Sequence, residues 1–242
     1  MIVLSIDSSS KVATVALLKD DCILGEYVLN DKREHSIVLM PMIEKLLYEC
    51  NLTVNDIDGY VVSKGPGSFT GLRIGMATVK GMCLGGNKPY ISISTLEALA
   101  YSLCTFNGLI CPIMDALREN VYTALYSYNK NTSNCIIEPT AMDIDELVTL
   151  LKDKNENVIF TGDAVNKHKN YIIEHLPNAQ FAPNHLNITR ASSLGEIGLN
   201  LLKNGTCDDP NSSPVYIKKP QAERELERRL LSNNGSKSEH NE

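Results

Sequence analysis

The stretch Gly65-Pro66-Gly67-Ser68-Phe69-Thr70-Gly71-Leu72-Arg73-Ile74-Gly75 is the most distinctive segment of the chain, with four glycines in eleven residues. It follows an apolar run at 60–63 and precedes a segment with a helical pattern. Glycine allows positive φ and close backbone approach, so the run predicts a shaped loop. Free N–H groups ahead of a helix also bind anions, so a phosphate contact and a purely structural turn both fit. A Walker A loop is excluded because no Gly-Lys-Ser/Thr follows.

The composition limits the classes of protein to which the chain can belong. It has 242 residues, 43% of them hydrophobic, which is enough for one large domain or two small ones. A net charge of −6 and the absence of Trp argue against a broad nucleic-acid surface. The seven cysteines form no C-x-x-C pair and are odd in number, so neither a zinc site nor a disulfide framework is indicated.

The N-terminal sequence predicts a cytoplasmic protein. Asp7 comes too early for a signal peptide, and no apolar stretch approaches the ~20 residues that span a bilayer. Free thiols also fit a reducing compartment.

Hydrophobic periodicity predicts an α/β protein whose two halves follow the same order of elements. In the first half the predicted strands are 2–6, 12–18, 22–29, 57–63 and 90–94, and the helices are 35–50, 70–85 and one capped by Ser94 with Glu97. In the second half the predicted strands are 109–114, 120–128, 135–138 and 157–161, and the helices are 144–152 (capped by Asp143), 165–175 and 192–204.

Each half begins with a strand that ends in an aspartate. Asp7 is followed nine residues later by Ala16-Leu17, and Asp115 nine residues later by Ala124-Leu125. The order of elements behind each aspartate favours two duplicated lobes facing each other across a cleft. We therefore divide the chain into lobes at 1–104 and 105–219, a terminal helix at 220–231 that could pack on the first lobe, and a disordered tail at 232–242. Carboxylates at the cleft could hold a hydrated divalent metal on nucleotide phosphates.

This arrangement resembles the actin-like ATPase superfamily, with ribonuclease H-like lobes of mixed sheets and a degenerate second lobe. Three segments resemble the bacterial TsaB family of tRNA threonylcarbamoyladenosine biosynthesis proteins more closely. They are Ile6-Asp7-Ser8-Ser9, the glycine-rich run 65–75, and Asp115-Ala116 followed by Val121-Tyr122. Pro214-Val215-Tyr216 resembles a further family element. The second lobe departs from the family at Leu117-Arg118-Glu119-Asn120, where Arg-Arg-Gly-Glu is usual.

The resemblance implies a non-catalytic partner of TsaD, the enzyme that transfers threonylcarbamoyl to a tRNA adenosine. TsaD carries paired histidines as H-x-x-x-H, whereas this chain has His35 with Leu39 in the second position. We therefore expect no catalytic residue and no metal site here. The implied partners are TsaD in a heterodimer and TsaE, with a homodimer in isolation, and with tRNA bound only through the complex. Weak ATP or ADP with magnesium is the candidate cofactor. A small actin-like kinase or ATPase is the alternative function.

Two helices carry the expected contact with TsaD. The helix at 35–50 is apolar on more than one face, and Ala77, Gly81 and Gly85 form a stripe of small residues on the next helix. Such a stripe permits close helix packing, either within its own lobe or against a partner. The candidate contacts are Ile37, Met40, Ile43, Leu47, Met76, Val79, Gly81 and Met82.

A second set of residues is a candidate for nucleotide or phosphate contact. It consists of Asp7, Ser8, Ser9, Gly65, Gly67, Ser68, Arg73 and Asp115. Asp7 could instead hold its own turn through the N–H groups of Ser9 and Ser10. Arg73 could equally form a surface ion pair. His168 and His175 are expected to be solvated, and the basic residues at 218–229 alternate with glutamates, which is typical of an exposed salt-bridged helix.

Overall fold

The computed structural model describes residues 1–31, 34–117, 119–129 and 132–218. The terminal helix expected at 220–231 and the disordered tail expected at 232–242 lie outside the described residues.

The first sheet has five strands in the order β3-β2-β1-β4-β5. These strands are β1 (Ile2–Asp7), β2 (Val12–Lys19), β3 (Cys22–Asn30), β4 (Gly59–Gly65) and β5 (Tyr90–Ser94). β1, β2 and β3 are antiparallel neighbours, whereas β4 runs parallel to β1 and β5 parallel to β4. The carboxyl ends of β1 and β4 therefore lie side by side, which brings Asp7 next to the glycine-rich run.

The second sheet repeats this connectivity in the order β10-β9-β6-β7-β8. Its strands are β6 (Leu109–Asp115), β7 (Asn120–Asn129), β8 (Thr132–Asp143), β9 (Val158–Thr161) and β10 (Gln180–Phe181). The predicted fold of two duplicated mixed sheets is confirmed. β8 is much longer than the predicted strand 135–138, and the two-residue β10 was not predicted.

Six α-helices surround the sheets in the described part of the chain. They are α1 (His35–Glu49), α2 (Phe69–Gly86), α3 (Thr95–Tyr101), α4 (Ile144–Lys154), α5 (Val165–His175) and α6 (Ala191–Lys203). The Asp143 side chain caps α4 by accepting from the N–H of Asp145. The capping box expected at Ser94 is wrong, because that side chain makes no capping hydrogen bond and the Glu97 carboxylate accepts from Ser133 instead.

The two faces of the first sheet are covered from different parts of the sequence. α1 and α2 cover one face, with Leu39 and Val79 packed among Leu4, Ile6 and Val62. The opposite face is covered by α6, more than a hundred residues later in the chain. A Cβ on Gly198 would overlap the side chain of Val61, so α6 lies closer to the sheet than a larger residue would allow.

α3 in turn packs on the second sheet. Its residues Leu96 and Leu99 pack with Ile110 and Ala124 of the second sheet, although α3 precedes that sheet in sequence. The division at 104/105 therefore separates the two sheets but not their helices. The expected second lobe, 105–219, includes α6, which the structure places on the first sheet. Hydrophobic periodicity shows that a helix has an apolar face but not which sheet covers it.

Candidate functional site

Asp7 lies at the end of β1 and is completely buried. Its Oδ1 accepts a hydrogen bond of 3.3 Å from the backbone N–H of Ser9, which is the local turn considered from the sequence. Burial raises the pKa of this carboxyl, and hydrogen bonds from Ser63 and Ser9 oppose that shift only in part. Asp7 and Ser8 are both buried, so a nucleotide contact by either residue stays a prediction that their present positions do not favour.

The glycine-rich run packs directly onto the turn that follows Asp7. The N–H of Ser68 donates to the Ser9 carbonyl at 2.6 Å, and the Ser8 hydroxyl donates to the Gly71 carbonyl at 2.8 Å. A Cβ on Gly67 or Gly71 would overlap the carbonyl oxygen of Ser9 or Ser8, respectively. These two glycines are therefore required for close approach of two backbone segments. This geometry favours the structural turn over the phosphate cradle.

A cleft of about 1520 Å³ lies between the lobes and is lined by both. Of the eight phosphate candidates, four lie in its lining, namely Ser9, Gly67, Ser68 and Asp115. Gly65 is buried, and a side chain there would meet the Val215 carbonyl. For the four lining residues, a phosphate contact stays a prediction.

The second lobe contributes an acidic pair to the cleft that the sequence did not indicate. Asp163 Oδ1 accepts from the backbone N–H of Asp115 at 2.9 Å, and Lys167 lies 3.6 Å from the Asp115 carboxylate. The walls of the cleft partly desolvate Asp163, although its side chain still reaches solvent, and this raises its pKa. The hydrogen bond from the Asp115 N–H lowers the pKa of Asp163, and the negative charge of the Asp115 carboxylate raises it. No group of three or more metal-ligating side chains occurs within the described ranges. Asp115 is the last residue of β6, and Asp163 lies two residues after the end of β9. The parallel pairing of these two strands, which the structure shows, brings the two carboxyl groups together.

His35 lies at the start of α1, at the rim of the same cleft. Its Nε2 lies 2.7 Å from the carbonyl oxygen of Ser10, so the imidazole is tied to the turn after β1. Leu39, one helical turn further on, is in the hydrophobic core at 1% exposure. The position of a second histidine ligand is therefore occupied by a core residue.

The chain after α6 forms a strap, defined here as residues 206–218, along β5 and α2. The N–H of Asp208 donates to the Tyr90 carbonyl at 2.8 Å, and the N–H of Val215 donates to the Lys64 carbonyl at 2.7 Å. At its end, Lys218 Nζ donates to the Ala116 carbonyl of the second lobe at 3.2 Å. The strap thus reaches the cleft and joins both lobes.

The structure divides the eight partner-contact candidates on α1 and α2 into two groups. Four of them have core side chains and are wrong as surface residues: Ile43, Leu47, Met76 and Val79. Of the other four, Ile37, Met40 and Gly81 are exposed, and Met82 is half-buried. Two apolar side chains that the sequence did not single out, Tyr48 and Leu84, are 81% and 87% exposed. We call the exposed residues Ile37, Met40, Tyr48, Ala77, Gly81, Leu84 and Gly85 the helix face.

The glycines of α2 have two different environments. Gly71 and Gly75 abut Ser8, whereas an added Cβ on Gly81 or Gly85 would meet no described atom within 4 Å. Packing within the same lobe therefore does not account for Gly81 and Gly85. Gly81 is interior to α2, where glycine costs about 1 kcal/mol relative to alanine, so its presence on an open face calls for another reason. Gly85 lies in the last turn of the helix, where glycine is common.

Arg73 extends the helix face at the N-terminal end of α2. Its guanidinium lies 3.9 Å from the centre of the Phe69 ring, and its Nε donates to the Tyr216 hydroxyl at 3.0 Å. Within the described ranges no carboxylate forms a salt bridge with Arg73. The surface ion pair considered from the sequence is therefore not found there.

The expectation that His168 is solvated is wrong, since its side chain is only 3% exposed. Burial lowers the pKa of His168, and the nearby Lys167 lowers it further, while Glu119 opposes the shift. His175 is half-buried, and its ring stacks on Tyr171 with centroids 4.2 Å apart. Across the same described ranges, no helix has the length and apolar character needed to cross a membrane.

Comparison with solved structures is consistent with this architecture. A Pseudomonas aeruginosa protein described as similar to the peptidase YeaZ aligns with a TM-score of 0.77 and 21% identity, covering 90% of this chain and 99% of that one. Component A of the Acidaminococcus fermentans (R)-2-hydroxyglutaryl-CoA dehydratase aligns with a TM-score of 0.50 and 10% identity, covering 85% of this chain and 100% of that one. Two sheets of one connectivity across a cleft define a protein of the actin-like ATPase fold class.

Comparison of sequences identifies a family within this fold class. The family model "TsaD: tRNA N6-adenosine threonylcarbamoyltransferase" matches residues 22–226. The tRNA threonylcarbamoyladenosine biosynthesis protein TsaB of Bacillus subtilis is 37% identical over 172 residues, covering 71% of this chain and 75% of that protein. TsaB of Buchnera aphidicola subsp. Acyrthosiphon pisum is 30% identical over 196 residues, covering 74% and 85%. The chain belongs to the TsaB family.

Proposed function

We propose that this chain acts in tRNA threonylcarbamoyladenosine biosynthesis as a non-catalytic subunit that binds TsaD through the helix face. The observation that carries the proposal is the open glycine pair Gly81 and Gly85 on α2, together with the exposed side chains of Leu84 on the same helix and Tyr48 on α1. Small residues on one helix let another helix approach closely, and exposed apolar side chains beside them gain from burial. A pair of helices from a partner fits this surface.

The residues of the first lobe support a non-catalytic role. Asp7 is sealed beneath the glycine-rich run, and His35 has the core residue Leu39 where a second imidazole ligand would be needed. A kinase or ATPase needs a carboxylate that reaches magnesium and phosphate. The buried Asp7 does not offer one. Asp115 lines the cleft, but one exposed carboxylate does not by itself favour the kinase alternative.

The helix face also bears on the other partners. A second copy of the chain could use the same surface, in which case homodimer and TsaD heterodimer would compete. TsaE and tRNA are proposed to join through the assembled complex. ATP or ADP with magnesium remains a candidate ligand of the cleft, at the lining residues Ser9, Ser68 and Asp115.

The proposal is tested by reconstituting the modification with one component left out. TsaD, TsaE, ATP, tRNA and threonylcarbamoyl-adenylate are incubated with and without this chain, and modified adenosine is quantified. We expect modification only when both this chain and TsaD are present. Modification that is unchanged without this chain would refute an activating role.

A charge on the helix face separates binding from folding. Gly81→Glu places a carboxylate on an open helical position, so we expect the chain to fold but to lose the TsaD complex on gel filtration. Asn200→Glu adds the same charge on the exposed side of α6, across the first sheet, and should bind TsaD normally. A Gly81→Glu variant that still forms the heterodimer would exclude this surface.

A further inference from the structure

The structure describes two arginines, Arg73 and Arg190, in different environments. Arg190 forms a salt bridge with Glu26, and its Nε lies 3.1 Å from that carboxylate. Arg73 also contacts its neighbours closely, but they are aromatic rings and a hydroxyl rather than a carboxylate. Among the described residues no carboxylate pairs with Arg73, although the chain has a net charge of −6.

The side chain of Arg73 is held by two aromatic residues, Phe69 and Tyr216. Phe69 lies under the guanidinium at 3.9 Å, the Tyr216 hydroxyl accepts from Nε, and the two rings contact each other with centroids 4.8 Å apart. Tyr216 is itself held because the N–H of the preceding Val215 is bonded to the Lys64 carbonyl. Stacking and one hydrogen bond fix the plane of the guanidinium before any ligand arrives.

No described group accepts a hydrogen bond from the terminal nitrogens of Arg73, and the residue is exposed. Those two nitrogens form the edge of the guanidinium that pairs with both oxygens of a carboxylate. A side chain that is already immobilised loses little rotamer entropy when such a pair forms. The arrangement is therefore suited to binding a planar anion from outside the chain.

Arg73 is also placed on the helix face. It lies four residues before Ala77 and eight before Gly81, so these residues share one side of α2. A helix docked over the open glycines would pass Arg73 at its end. Aromatic residues and arginine are the residue types enriched where protein interfaces gain most of their affinity.

We propose that Arg73, positioned by Phe69 and Tyr216, is an anchor that binds a carboxylate of an acidic side chain on the partner docked at the helix face. Tyr216 is a positioning residue that acts through Arg73, so the strap shapes the partner surface. This inference rests on the proposed function for the location of the partner. A protein carboxylate is favoured over an RNA phosphate because backbone binding needs several cations, and the nearby Lys80 donates to the strap at Ser212.

The test measures the Kd for TsaD by calorimetry with four forms of the full chain: wild type, Arg73→Gln, Tyr216→Phe and the double variant. We expect Arg73→Gln to weaken binding about tenfold or more, as for loss of a charge-assisted hydrogen bond. Tyr216→Phe keeps the ring but removes the acceptor and should weaken binding about threefold. The double variant should bind no more weakly than Arg73→Gln, because Tyr216 acts only through Arg73.

Two controls make the result specific. Lys152→Gln removes one positive charge from the exposed side of α4 and should bind like wild type. Added NaCl should weaken wild-type binding more than Arg73→Gln binding, since only the former includes the ion pair. Unfolding temperatures of all variants show whether each one folds.

The outcomes separate this inference from the proposed function. If Gly81→Glu abolishes TsaD binding while Arg73→Gln binds like wild type, the helix face stands and the anchor is refuted. If both variants bind TsaD like wild type, both the helix face as the binding surface and Arg73 as its anchor are refuted. If Arg73→Gln keeps its TsaD affinity but the assembled complex loses affinity for tRNA, the anion is an RNA phosphate and the carboxylate proposal is overturned.

Discussion

The opposite environments of the glycines on α2 predict that one chemical change, glycine to alanine, has opposite effects at two positions of one helix. A Cβ on Gly71 would overlap the Ser8 carbonyl oxygen, and it would also lie 3.2 Å from the Ser8 carbonyl carbon and 3.3 Å from the His35 ring. The obstacle is backbone within a buried turn, so no side-chain rotation relieves it. At Gly81 an added methyl group meets no described atom within 4 Å.

The magnitudes follow from these contacts. Overpacking of a tight site costs about 1–3 kcal/mol, and loss of the hydrogen bond from Ser8 to the Gly71 carbonyl adds about 1 kcal/mol. We therefore expect Gly71→Ala to destabilise by about 3 kcal/mol, which lowers Tm by about 6–12 °C in a chain of this size. Gly81→Ala gains helix propensity of about 1 kcal/mol and should raise Tm by about 2–4 °C.

The assay is thermal unfolding followed by circular dichroism, repeated with urea to obtain the free energy of unfolding. Gly75→Ala is an intermediate case for comparison. Its Cβ would meet the Ser8 hydroxyl, which can rotate away if its hydrogen bond to the Gly71 carbonyl breaks. It should fall between the other two variants. A Gly71→Ala protein as stable as wild type would refute the conclusion that this glycine is there for close packing.

Three further predictions concern buried groups. Asp7→Asn should raise Tm at pH 7.5, because burial raises the Asp7 pKa and so makes the charged carboxylate unfavourable in the folded state. This gain in Tm should shrink as the pH falls towards 3.8, below which the carboxyl of the wild type is protonated in both states. A variant that is less stable than wild type at pH 7.5 would contradict this prediction. The free energy of unfolding should fall as pH drops below 6.5, because the unfolded state protonates His168 before the folded state does; His168→Gln should reduce that slope in pH-dependent melts. Ellman's reagent at pH 8 should label exposed Cys207 rapidly, but Cys83 and Cys111, whose pKa burial raises to about 12, only after unfolding.

The succession of strands along the chain was predictable, because each lobe starts with an apolar strand that ends in an aspartate and is followed by a second, antiparallel strand. The sequence does not show on which of the two sheets each helix packs. α3 and α6 have ordinary apolar faces, and nothing in those faces shows which sheet each helix covers. The contacts of α6 join residues about a hundred or more positions apart, whereas α3 packs on the sheet that follows it in the chain.

The helix face was predicted at the level of helices but not of residues. α1 is apolar on several sides, so its periodicity does not distinguish Ile43 in the core from Met40 at 50% exposure. The sequence likewise does not distinguish the roles of the glycines on α2, because Gly71 and Gly81 are chemically identical. Only the position of Ser8, brought close by the pairing of β1 and β4, separates a glycine required by packing from one that is open.

The exchange of helices has a consequence for how the chain is made. During translation the first sheet is complete once β5 has been synthesised, but the helix that covers its second face ends at Lys203. At about 5–20 residues per second, the ribosome needs on the order of 5–20 s to add the residues between them. Throughout that time Val3, Val61 and Ile91 have no cover from α6. The nascent first lobe is therefore a natural client for chaperones that bind exposed apolar sheets, and a ribosome stalled in the second half would leave an aggregation-prone fragment.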